Sequence, residues 1–267
     1  MAESSRTAGP GPAPRAGAAV AWSIGLGLLT LVAVQVVHGH SYWNYSEGVY
    51  ALTSRLFLHG DELYGTMVAA QLPPIFFAGA GILAVHDGLT WLRLVLGALQ
   101  LGAGLLGAVA VWRMTRSTVA SALTAPLALL TPWAIHEHGA LTPEMFLAPL
   151  LLAGVLLADR PGKAPLVGVL AGLCAFIKVP FLLPAVVLVL CSADRWRTAR
   201  WAAGVLGAQV LAATAVFGSA LWRDTVTAQF DTGTRALSQL VGYWAQALWN
   251  LIWLIVPAGV ATWWRED

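Results

Sequence analysis

Among the stretches of this 267-residue chain that contain no Asp, Glu, Lys or Arg are six at 16–46, 94–112, 117–136, 179–193, 201–222 and 236–264. Five of them hold at least 19 residues, close to the roughly 20 that a helix needs to cross a hydrocarbon core about 30 Å thick. No water-soluble fold hides that many long apolar helices. The chain therefore reads as an all-α, polytopic transmembrane bundle. Composition agrees, with 58% hydrophobic and only 10% charged residues, against roughly 25% charged in soluble domains.

Fifteen basic and 13 acidic residues leave a net charge of +2. They form no basic stripe, so nucleic acid is not an expected partner. Cys174 and Cys191 lie in apolar stretches and form no disulfide framework. Residues 1–16, rich in Pro, Gly and Ala, cannot bury enough apolar surface to fold alone and read as a cytosolic tail. The rest, 17–267, reads as one transmembrane domain. Its first helix, 18–37, is too long for a signal-peptide core and is expected to stay as a signal anchor.

The short apolar segment 74–86 decides the topology. Thirteen residues reach only about 20 Å as a helix, too short to span. If it lies along the outer surface, ten of the fifteen basic residues fall on the inner side; if it spans, only six do. The positive-inside rule selects the first arrangement. It gives an outer loop at 38–90 and eight crossings, at 18–37 and near 91–112, 118–136, 142–158, 164–177, 179–193, 201–222 and 240–264, with a cytosolic N-terminus. Ten of the 13 tryptophans then fall at predicted membrane boundaries, as an aromatic belt requires.

The outer loop is expected to hold two interfacial helices. The first, 45–58, has Asn44 or Ser46 as a cap, an apolar stripe of Val49, Leu52 and Leu56, and Gly60 as a stop. The glycines Gly97, Gly102, Gly104 and Gly107 suggest close helix packing.

This topology gathers the ionisable chemistry on one side: Glu47, Arg93, His136, Glu137, His138, Glu144, Lys178, Asp231 and Arg235 all fall outside. Glu144 precedes the inner Asp159 by 15 residues, and Lys178 follows the inner Lys163 by 15. Both therefore sit roughly 22 Å above the inner interface. Charges at that depth must pair or line a wet cavity. Glu144 and Lys178 either form a structural ion pair or serve a site, and one role does not exclude the other. Glu47 either complements the start of its helix or faces a cavity as a base for an acceptor hydroxyl.

His136, Glu137 and His138 invite a metal reading, but alternate residues diverge on a helix and zinc wants three convergent ligands. No phosphate-binding glycine loop, dinucleotide fingerprint or nucleophile elbow is present. No cofactor is assigned, although a divalent metal is compatible with the acidic residues.

The run NYSEGVYALTSRLFLHGDELYGTMVAAQLPP, followed by the non-spanning apolar helix and Trp91-Leu92-Arg93-Leu94, resembles the first outer loop of GT-C membrane glycosyltransferases. The likeness is strongest to bacterial relatives of protein O-mannosyltransferases and lipid A aminoarabinose transferases. HEHGALTPEMF and GVLAGLCAFIKVPF keep that family's order of a second acidic residue and a lysine after a glycine-rich helix. The resemblance covers about residues 20–260. It implies an inverting glycosyl transfer from a polyprenyl-phosphate sugar lipid, at the outer face of the cytoplasmic membrane, to an unidentified acceptor. By that analogy Glu47 and Glu144 match catalytic acidic positions. Arg93 and Lys178 match positions near the lipid phosphate, and His138 and Arg235 are further candidates for binding substrate. Two departures stand out. Many relatives carry Asp-Glu where this chain has Ser46-Glu47, and relatives continue through further helices beyond the position of Asp267, which leaves a C-terminal part of the family pattern unmatched. A lipid-linked-sugar transporter or binding protein, and a non-catalytic truncated homologue, are the competing expectations.

Overall fold

The computed structural model describes residues 14–38, 45–67, 69, 71–131, 134–135 and 139–227. They build nine α-helices: α1 Pro14–His38, α2 Tyr45–Leu58, α3 Pro74–Val85, α4 Leu89–Thr115, α5 Thr118–Leu129, α6 Glu144–Ala158, α7 Ala164–Ile177, α8 Leu182–Leu190 and α9 Arg195–Trp222. Apart from one isolated bridge between Leu63 and Met67, no β-pairing occurs among the described residues. The all-α expectation stands. Three segments are long and apolar enough to cross a membrane, Gly17–Val37, Leu89–Thr115 and Arg195–Thr227. Five shorter apolar helices of 10–17 residues accompany them. The segment expected at 240–264 lies outside the described residues, as do His136, Glu137, His138 and Arg235.

Local chemistry explains the helix boundaries. α9 begins six residues before its apolar window because Asp194 caps it, accepting from the backbone N–H of Arg197 at 3.1 Å. α8 is short because Pro180 and Pro184 lie at its start; residues Val179–Phe181 form a 3₁₀ turn instead. α2 ends as expected. Gly60, at φ +101°, sits where the Gly60 N–H reaches the Phe57 carbonyl and the Asp61 N–H reaches the Leu56 carbonyl, the Schellman arrangement.

Lipid supplies no hydrophobic force between helices, so close backbone approach must hold them. α4 meets α5 where Gly104 lies against Ala125, a Cβ on it coming within 3.0 Å of the Ala125 Cα. α7 meets α9 where Gly168 and Gly172 face the carbonyls of Thr198 and Ala202. Of the glycines expected to pack, Gly102 instead borders open space. α1, α4 and α5 share a core of Leu31, Leu101, Ala125 and Leu129, and α6 to α9 surround Val167, Ala171 and Cys174. A third core, including Tyr64, Phe76, Leu92, Leu141 and Phe176, ties the α2–α3 loop to the transmembrane helices.

The outward surface is apolar: Leu29, Val36, Leu211 and Val216 are each at least 68% exposed. Soluble monomers rarely leave such faces bare, and lipid is their natural solvent. α2 shares this inversion. Its polar Glu47, Thr53 and Ser54 are buried, while Val49, Leu52 and Leu56 point outward. The stripe read from the sequence is real, and it faces away from the protein.

Candidate functional site

α2 carries Glu47 in its first turn, and α4 carries Arg93 in its second. The two side chains meet face to face: Arg93 Nε donates to Glu47 Oε1 at 2.8 Å and Nη2 donates to Oε2 at 2.7 Å. Both are almost wholly buried, at 2% and 4% side-chain exposure. A two-pronged guanidinium–carboxylate contact is the geometry that best repays desolvation of both charges. Gly139 presses on it from the neighbouring segment. Its φ is +64°, and a Cβ there would lie 2.7 Å from the Arg93 carbonyl oxygen and 2.9 Å from Arg93 Cα. Only glycine fits both that backbone conformation and that contact.

The second pair joins α6 to the end of α7. Lys178 Nζ donates to Glu144 Oε1 at 2.7 Å, with side chains 30% and 39% exposed. Lys178 is the C-terminal boundary residue of α7 and adopts an extended backbone (φ −157°). Equal depth in the sequence thus becomes direct contact in the fold. Phe146 and Leu150 on the helix of Glu144, and Leu173 and Ile177 on the helix that Lys178 ends, join Pro74, Ile75 and Gln209 in lining a cavity of about 150 Å³.

Tyr50, on the helix that carries Glu47, feels the charge of Glu144. It lies three residues after Glu47 on α2, a spacing that puts both on one helical face. Burial, and secondarily the Glu144 carboxylate, raise its phenol above the ordinary tyrosine range, while a side-chain hydrogen bond with Gln71 acts the other way. Gln71 in turn accepts the Tyr64 hydroxyl on its backbone carbonyl at 2.5 Å. The Tyr64 phenol is also pushed up, first by burial and then by Asp224. Asp224 is buried beyond the kink that Gly218 (φ +61°) puts into α9; it takes Arg223 Nε on Oδ1 at 2.8 Å, while its Oδ2 has no hydrogen-bond partner among the described residues.

Glu47, Arg93, Glu144 and Lys178 are therefore brought into two ion pairs. His138 and Arg235 lie outside the described residues. Tyr50, Gln71, Tyr64 and Gly139 escape the sequence reading. For Tyr50 the i, i+3 spacing from Glu47 was the available signal; the other three depend on contacts that no local pattern announces. Among the described residues no three metal-ligating side chains converge. Compared with protein families, curated proteins and solved structures, the chain shows no match.

Proposed function

We propose that the chain is a GT-C-type membrane glycosyltransferase, or the catalytic part of one, that draws a sugar from a polyprenyl phosphate at the outer face of the cytoplasmic membrane. In this reading α1, α4 to α9 and the segment 240–264 make eight crossings, with the N-terminus in the cytosol. The reading rests on one observation above all: the Lys178–Glu144 pair, about a third exposed, whose sequence neighbours Ile177 and Phe146 line an apolar cavity. An amphiphile with an anionic head and an apolar tail matches that combination.

Lys178 exchanges Glu144 for the donor phosphate and holds positive charge where negative charge develops on the leaving group. The acceptor hydroxyl oxygen forms a bond to the anomeric carbon while the carbon–oxygen bond to phosphate breaks. The phosphate leaves with that electron pair on the opposite face, so configuration inverts. Glu144, released from Lys178, takes the acceptor's proton. Glu47, held two-pronged by Arg93, fixes α2 over the site.

The test is consumption of a radiolabelled undecaprenyl-phosphate hexose in membranes containing the chain. Glu144→Gln and Lys178→Met are each expected to lower the rate by about a hundredfold or more, with normal helicity. Unchanged turnover in both folded variants sinks the site. Retention of the labelled lipid with no covalent product in the unmodified chain favours the binding or transport reading, which the same ion pair and cavity also suit.

A further inference from the structure

At the end of the bundle opposite the outer loop, α9 opens with Arg195, Trp196, Arg197, Arg200 and Trp201. The three arginines are exposed, and none makes an ion pair among the described residues. The adjacent carboxylate, Asp194, is already engaged as the helix cap. The neighbouring turn is tied in through the Ala193 N–H and the Ala158 carbonyl at 2.7 Å. It adds Arg160 and Lys163 against Asp159, so these two turns carry five basic side chains and two acidic ones. The Arg195 guanidinium lies over the Trp196 ring, 5.8 Å from its centre.

Arg197, Arg200 and Trp201 line a surface cavity of about 330 Å³. Helical spacing places Gly204, Ala208, Leu211 and Ala215 in one column leading away from it, and all four are exposed. A Cβ on Gly204 would meet nothing within 4 Å, so the column begins with an open notch. A basic cavity that runs into an exposed apolar strip has the dimensions of a lipid: guanidinium forks suit a phosphate, an indole suits the headgroup level, and the strip suits an acyl chain. Basic clusters beside a transmembrane helix attract anionic lipids for the same reason.

We propose that this cavity binds the phosphate of an anionic phospholipid in the cytoplasmic leaflet, with Arg197 and Arg200 as donors and one acyl chain along the Gly204–Ala215 column. The orientation proposed above enters only in naming the leaflet.

Native mass spectrometry of the full chain in detergent, with dioleoylphosphatidylglycerol or dioleoylphosphatidylcholine, tests it. Phosphatidylglycerol is expected to be retained about tenfold better, and R197Q/R200Q to abolish that preference. R160Q, at the same end but outside the cavity, leaves the preference intact. Equal retention of the two lipids, or equal loss in R160Q, overturns the site. So does displacement by inorganic phosphate at the lipid's own concentration, because the apolar column would then contribute nothing. A membrane-impermeant maleimide reads the leaflet separately. Cys191, exposed at the end of α8, is expected to react in inverted vesicles and not in right-side-out ones; the reverse pattern overturns the leaflet.

Discussion

The two ion pairs of the candidate site each join a carboxylate to a base, in opposite circumstances. Glu47–Arg93 is sealed and two-pronged; Glu144–Lys178 is a single contact with about a third of each side chain exposed. Breaking a buried pair strands a charge, at about 3–5 kcal/mol, whereas a water-facing pair is worth less than about 1 kcal/mol. The first pair is therefore committed to structure. The second can trade its partner for a ligand at little cost, which is the property a site needs. Among the four ionic residues, burial more than residue type separates the locked pair from the exchangeable one.

The largest expected effect comes from Arg93→Gln, which leaves Glu47 buried and unmatched. Melting in detergent should fall by roughly 10 °C or more, against less than about 3 °C for Lys178→Met. Equal shifts would erase the distinction between the pairs. Gly139→Ala comes next. The left-handed backbone and the collision with the Arg93 main chain together should cost about 2 kcal/mol, while Gly102→Ala, with open space around it, should be neutral or slightly stabilising. A neutral Gly139→Ala would remove the support assigned to Arg93.

The smallest effect is the most specific. Burial and then Glu144 raise the Tyr50 pKa, so the neutral phenol stabilises the fold fully below the ordinary tyrosine range. That contribution is lost as pH climbs through the raised value. In an alkaline absorbance titration of the five tyrosines, the component removed by Tyr50→Phe should titrate late. Glu144→Gln should move it earlier and Lys178→Met later. A Tyr50 component indifferent to both would uncouple it from the second pair.

Much of the scaffold is legible in the sequence because its determinants are local. Gly60 places the end of α2, and the spans expected near 91–112, 142–158 and 164–177 match α4, α6 and α7 within a few residues. Lys178 and Glu144 could be matched because equal counts from an inner turn set equal depth. The Glu47–Arg93 pair was not legible. Its members are 46 residues apart, and both were read as parts of a substrate site, although each consumes the other's charge. The orientation of α2 was hidden for another reason: an apolar stripe specifies a face, not whether protein or lipid covers it.

That orientation reaches beyond the packing of one helix. With Glu47 turned inward and Val49, Leu52 and Leu56 turned outward, water alone would favour rolling α2 the other way. The Glu47–Arg93 pair holds it as it stands, and a coat of hydrocarbon favours the same setting. Membrane thickness, by fixing where that apolar face can lie, thus becomes a variable of how α2 sets Glu47 and Tyr50 against the rest of the bundle, as direct as any side chain.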